Sequence, residues 1–131
     1  MSQYLTRTLP VISAKAGNAI VEGQIVKFSG TDVVTPITAD TDVFIGVALN
    51  TVDSASNATV ALRGSGAQCL GKICGTVIAG QSLYPSGSAP FAGYFQTSSL
   101  YPYTPTGSQP VTAYALEPGV ANDLIRVALT N

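Results

Sequence analysis

Histidine and tryptophan are absent from the 131 residues, methionine occurs once, and charge is scarce: six Lys and Arg and seven Asp and Glu make up 10% of the chain. Lack of histidine removes the side chain most used for acid–base chemistry near neutral pH and for metal binding. The few basic residues are scattered and the net charge is −1, so there is no electrostatic footprint for nucleic acid. Long apolar runs are missing too. The longest, Val43 to Leu49, has seven residues including Gly46, against roughly 20 for a spanning helix. A mean hydropathy of +0.32 therefore does not imply a membrane segment. No basic segment followed by an apolar stretch opens the chain, so no secretory signal is visible and synthesis in a reducing cytoplasm is expected.

Two cysteines, Cys69 and Cys74, are too few for a disulfide framework. Their four-residue separation does not suit a zinc knuckle and no second ligand pair exists; buried free thiols are expected. A nucleophilic serine would have no histidine base. Gly80-Gln81-Ser82-Leu83-Tyr84 lacks the second glycine of a nucleophile elbow, and Gly64-Ser65-Gly66 lacks the third glycine and lysine of a phosphate loop. Asp40-Thr41-Asp42 lacks the further oxygen ligands of a calcium site and reads as a cap on the turn into Val43. Glu22, Asp53, Glu117 and Asp123 fall in turns and form no identifiable pair. Asn57-Ala58-Thr59 fits the glycosylation pattern by chance. No catalytic, cofactor-binding or metal-binding residue emerges, and the expectation is a protein that is not an enzyme and needs no cofactor.

What is abundant is apolar and uncharged polar: 46% hydrophobic residues, with 14 Thr, 12 Ser and 13 Gly to cover the surface. That balance excludes disorder, and the length predicts one domain. Glycine or proline punctuates nearly every stretch, with Val, Ile, Thr, Tyr and Phe between, and no segment holds a helical period. Strands are predicted at Tyr4–Leu9, Ile25–Phe28, Val43–Leu49, Thr59–Arg63, Cys69–Ile78, Val111–Leu116 and Leu124–Leu129. The apolar run of the last, broken by Arg126, suits burial between layers. The reading is all-β.

An internal repeat organises these strands. Ile20-Val21-Glu22-Gly23-Gln24-Ile25 aligns with Val77-Ile78-Ala79-Gly80-Gln81-Ser82 at an offset of 57 residues. Ala48-Leu49 and Val60-Ala61-Leu62 align with Ala115-Leu116 and Val127-Ala128-Leu129 at 67. The second copy therefore carries about ten extra residues between Gly87 and Val111. The implied domain has two pseudo-repeated β-units, about 17–64 and 75–131, packed face to face because each is too small to bury its own apolar face.

Two segments lie outside the repeat: an extended N-terminal arm (1–16), interrupted by Pro10, and an insertion (88–110). The insertion holds five of the ten aromatics, Phe91, Tyr94, Phe95, Tyr101 and Tyr103. It reads as a lid folded over the core, a protein-docking surface or a sugar-stacking platform.

Ala16-Gly17, the Gly23-Gln24 turn, Phe44-Ile45-Gly46-Val47-Ala48 and Val60-Ala61-Leu62-Arg63-Gly64, with their second-half counterparts, resemble tailed-bacteriophage capsid decoration (cement) proteins. The resemblance spans about Ala16 to Leu129. It implies a small β-sandwich or barrel-like domain of β-tulip type that joins the outside of an expanded head, performs no reaction and is often a trimer or dimer. The expected function is a virion protein that stabilises the capsid surface by bridging major capsid protein subunits, as a homo-oligomer with trimer favoured. Scarcity of charge suits a surface buried in permanent contacts. The expected contacts are Tyr4, Leu5 and Leu9, as a strand added to a sheet edge, and Tyr94, Phe95, Tyr101 and Tyr103. The alternative is a phage fibre or surface module that recognises a glycan or host receptor through the tyrosines.

Overall fold

The computed structural model describes residues 11–39, 42–64, 66–87, 91–97 and 111–130. It is all-β, and no helix occurs among the described residues. The first five strands are β1 (Val11–Ala16), β2 (Ile25–Gly30), β3 (Val33–Pro36), β4 (Gly46–Ala48) and β5 (Asn57–Leu62). They form a closed barrel in the order β1-β3-β2-β4-β5, with β5 returning to β1. All its pairs are antiparallel except β1–β3, a parallel seam in which Lys15 faces Val33 and Ala16 faces Val34.

The second five are β6 (Gln68–Lys72), β7 (Ser82–Ser86), β8 (Tyr94–Gln96), β9 (Ala113–Ala115) and β10 (Leu124–Leu129), ordered β6-β10-β9-β7-β8. Read the other way round, the first barrel runs β1-β5-β4-β2-β3, which is the same order strand for strand. A parallel bridge between Ile73 and Phe95 ties its two edges.

The repeat extends to individual hydrogen bonds. Both Gly-Gln turns are closed by the glutamine side chain: Gln24 Oε1 accepts from Val21 N–H at 2.7 Å and Gln81 Oε1 from Ile78 N–H at 3.1 Å. Each also favours glycine, since Gly23 and Gly80 have φ of 92° and 88°. Ile20 and Val52 exchange backbone bonds, as do Val77 and Gly119. Ala55 N–H donates to Ala16 O at 2.7 Å, and Asn122 N–H to Ile73 O at 2.8 Å. The offsets are again 57 and 67. Phe28 faces Val34 where Pro85 faces Phe95, so four of the ten extra residues lie in the β7–β8 turn and six between β8 and β9.

Several expectations need correction. The units begin earlier than 17 and 75, because β1 and β6 are equivalent strands and Gln68–Ala128 pairs as Val11–Ala61 does. Residues 11–16 are thus a barrel strand paired on both sides rather than part of an arm. Strand Tyr4–Leu9 lies outside the described residues. The stretch Cys69–Ile78 stops being strand at Lys72: Ile73 makes only an isolated bridge to Phe95, and the chain bends at Cys74-Gly75 toward the next turn. β10 has one wet face: Leu124 and Arg126 are exposed while Ile125, Val127 and Leu129 are buried. β3, β7 and β8 were not expected from sequence; β3 and β7 contain proline and β8 is three residues long.

Strand alternation fills the interior of each unit with equivalent side chains. Ala16, Ile20, Val26, Val34, Ala48, Ala58 and Val60 form the first interior. Their counterparts Ile73, Val77, Leu83, Phe95, Ala115, Ile125 and Val127 form the second. The second set is bulkier, and one position compensates: Ala14 becomes Gly71, where a methyl would lie 2.7 Å from the Phe95 ring. The second core is continuous with Ile25, Ile37, Phe44, Val47 and Ala61 on the outer face of the first barrel, so the two units share it.

Phe95→Ala is expected to cost about 3–5 kcal/mol in urea unfolding. Gly71→Ala should also destabilise, and Gly71→Ala/Phe95→Val, which restores the first barrel's Ala–Val pairing, should lose less than the sum of its single changes.

Candidate docking surfaces

Of the expected contact residues, Tyr4, Leu5, Leu9, Tyr101 and Tyr103 lie outside the described residues. The structure separates the other two. Tyr94 is half-buried at the start of β8, with its ring 5.5 Å from that of Phe91 and the Lys72 ammonium 6.0 Å from its centroid. Phe95 points the opposite way, as successive strand residues must, and is wholly buried in the second unit's core. Its assignment as a contact is corrected: it has no surface to offer a partner. The described part of the insertion is folded into the barrel wall.

Exposed apolar side chains missed in the sequence lie elsewhere. Val43 is 81% exposed, Ile78 65%, Val120 56%, Phe28 47% and Tyr114 44%. Ile78 and Val120 flank the Val77–Gly119 bridge at one end of the second barrel. Val43, Ile78, Phe28 and Tyr114 each fit a short, strand-like apolar string, which gives no reason to place them outside, whereas Val120 lies between the turn formers Pro118-Gly119 and Asn122-Asp123.

The charged groups hold turns. Asp42 accepts from Lys27 Nζ at 2.9 Å, Thr38 N–H at 2.8 Å and Ala39 N–H at 3.1 Å. The Lys27 hydrogen bond, followed by the backbone donor of Thr38, holds its carboxyl down at about 2 from an ordinary 3.8. Asp42 therefore caps the turn that precedes it. Glu117 accepts from Arg126 N–H at 2.7 Å, and Asp123 from Val120 N–H at 2.9 Å. Cys69 and Cys74 are not in disulfides; burial pushes the Cys69 thiol up to about 11. Among the described residues, no three Cys, Asp or Glu side chains come together as metal ligands would.

Asp42 favours folding above its unfolded pKa, and that contribution is lost as pH falls toward about 2. Asp42→Asn should thus be less stable than the unchanged chain near neutral pH by roughly 1 kcal/mol, the pair being partly solvated. In urea titrations at acid pH the difference should close. Native thiols should alkylate slowly with iodoacetamide and reach full rate in denaturant.

No protein-family model matches the chain, and no curated protein is similar to it in sequence. Among solved structures it is similar to the N base of the head fiber gp8.5 of bacteriophage phi29. The superposition has a TM-score of 0.65 at 17% identity and covers 92% of each chain. At that identity the likeness is one of fold, and it extends over both units.

Proposed function

We propose that this chain is a non-enzymatic structural protein of a bacteriophage virion, seated on the outer capsid surface, where it stabilises the shell by bridging major capsid protein subunits. The observation that carries the reading is the fold likeness to a phage head-fiber base over 92% of both chains. Composition agrees with it: few charges and no histidine suit a surface spent on lasting contacts rather than turnover. The mechanism is mass action, since whatever binds only the assembled shell stabilises it. Tyr4, Leu5 and Leu9 would add as a strand to a capsid sheet edge, with Tyr101, Tyr103 and exposed Val43 as further contacts. A homo-oligomer, trimer before dimer, would match the symmetry of capsomers. Nucleic acid and membrane are not partners in this reading.

A second reading is the base of a fibre, or a surface module that binds a glycan or host receptor. The head-fiber identity of the similar structure favours it, and the tyrosines supply stacking faces.

Co-sedimentation with mature heads lacking the protein, beside unexpanded proheads, tests the first reading. Saturable binding at a fixed ratio per capsomer, stronger on mature heads, is expected, and deletion of residues 2–9 should abolish it without unfolding the chain. A folded protein that binds neither particle would overturn capsid attachment. Saturable polysaccharide binding lost on Tyr101→Ala and Tyr103→Ala would instead establish the second.

A further inference from the structure

The two units are joined by an insertion into a seam. In the first barrel Lys15 N–H donates across the β1–β3 seam to Asp32 O at 2.9 Å. At the equivalent place in the second unit, Lys72 N–H donates to Gly23 O at 3.0 Å, and Ile25 N–H donates to Gly93 O at 2.6 Å. The Gly23–Ile25 backbone of the first unit thus enters the β6–β8 seam of the second, replacing one rung by two. The fit is close: a methyl on Gly23 would lie 2.5 Å from Leu124 Cδ2 and 2.8 Å from Lys72 N.

Among the described residues, the repeat leaves one copy of each half of this joint unused. The second Gly-Gln turn, Ile78 to Gln81, projects from the surface; Gly80 is exposed where Gly23 is buried, and a methyl there would meet nothing within 4 Å. The first barrel has an open groove of about 510 Å³ lined by Ser13, Lys15, Thr31, Asp32, Val33 and Asn57. Offsets of 57 and 67 convert Ser13, Lys15 and Asn57 into Leu70, Lys72 and Leu124, so the groove sits where the second unit receives the Gly23 turn. We propose that the Ile78–Gln81 turn of one copy docks in this groove of a second copy, joining chains head to tail by the contact that joins units within a chain. The Lys15 rung to Asp32 O exchanges for one to Gly80 O, and Ser82 N–H takes the freed Asp32 carbonyl. Such a contact is heterologous, so each copy keeps one free turn and one free groove until a ring closes.

Heterologous docking has a signature in sedimentation velocity of the purified full chain, with no heads present, so its failure is separate from that of capsid attachment. The unchanged chain should associate with rising concentration. Gly80→Asn, which fills the turn but tolerates its backbone, and Asn57→Trp, which fills the groove, should each stay monomeric. Mixed, they should form a one-to-one species of twice 13.4 kDa, because each supplies the half the other lacks. Ile78→Lys and Ser13→Trp repeat the test if circular dichroism shows either first variant unfolded. An unchanged chain that is monomeric at every soluble concentration, variants that associate as it does, or a mixture that stays monomeric would each overturn the proposal.

Discussion

The structure depends on the entry of Gly23–Ile25 into the β6–β8 seam. The second unit carries bulkier interior residues than the first, and Phe95 and Ile73 meet across its edges in a single bridge. The Gly23 and Ile25 backbone groups satisfy donors and acceptors that an open seam would leave unpaired. The same approach brings Ile25 and Val47 onto the second core. Backbone pairing and apolar burial thus act at one place, and each unit completes the other.

Duplication explains why so many bonds recur, and divergence explains why the halves are not interchangeable. Small interior residues, Ala14, Ala16 and Ala58, let the first barrel close on itself with two parallel pairs. Their replacements, Gly71, Ile73 and Ile125, surround Phe95. A ring there demands that the opposite strand lose its methyl and that the wall spread. Within one chain, interior volume therefore selects which unit closes on itself and which takes in the other unit's turn.

This division also bears on function. A closed barrel and a matching five-stranded sheet with few charges offer exposed turns and isolated apolar side chains such as Val43 and Ile78. On the proposed reading, those would be the chain's points of attachment. The acidic side chains Asp42, Glu117 and Asp123 are engaged in holding turns.

The all-β class, the Gly-Gln turns and the duplication at offsets of 57 and 67 residues were legible because they rest on local chemistry: β-branched runs, a glycine at positive φ, a glutamine that closes its own turn. The exact run of β10 was legible for the same reason, whereas its exposed face was not. Strand order, the parallel β1–β3 seam and the inclusion of residues 11–16 in the barrel were decided by the tertiary structure, since partners far apart in the chain leave no local trace. Adjacent Tyr94 and Phe95 look alike in sequence, and only the pleat assigns one to the wall's outer side and the other to the core. Which of the two seams admits the other unit's backbone within the chain is decided by the volume packed behind it, a property of all the strands together.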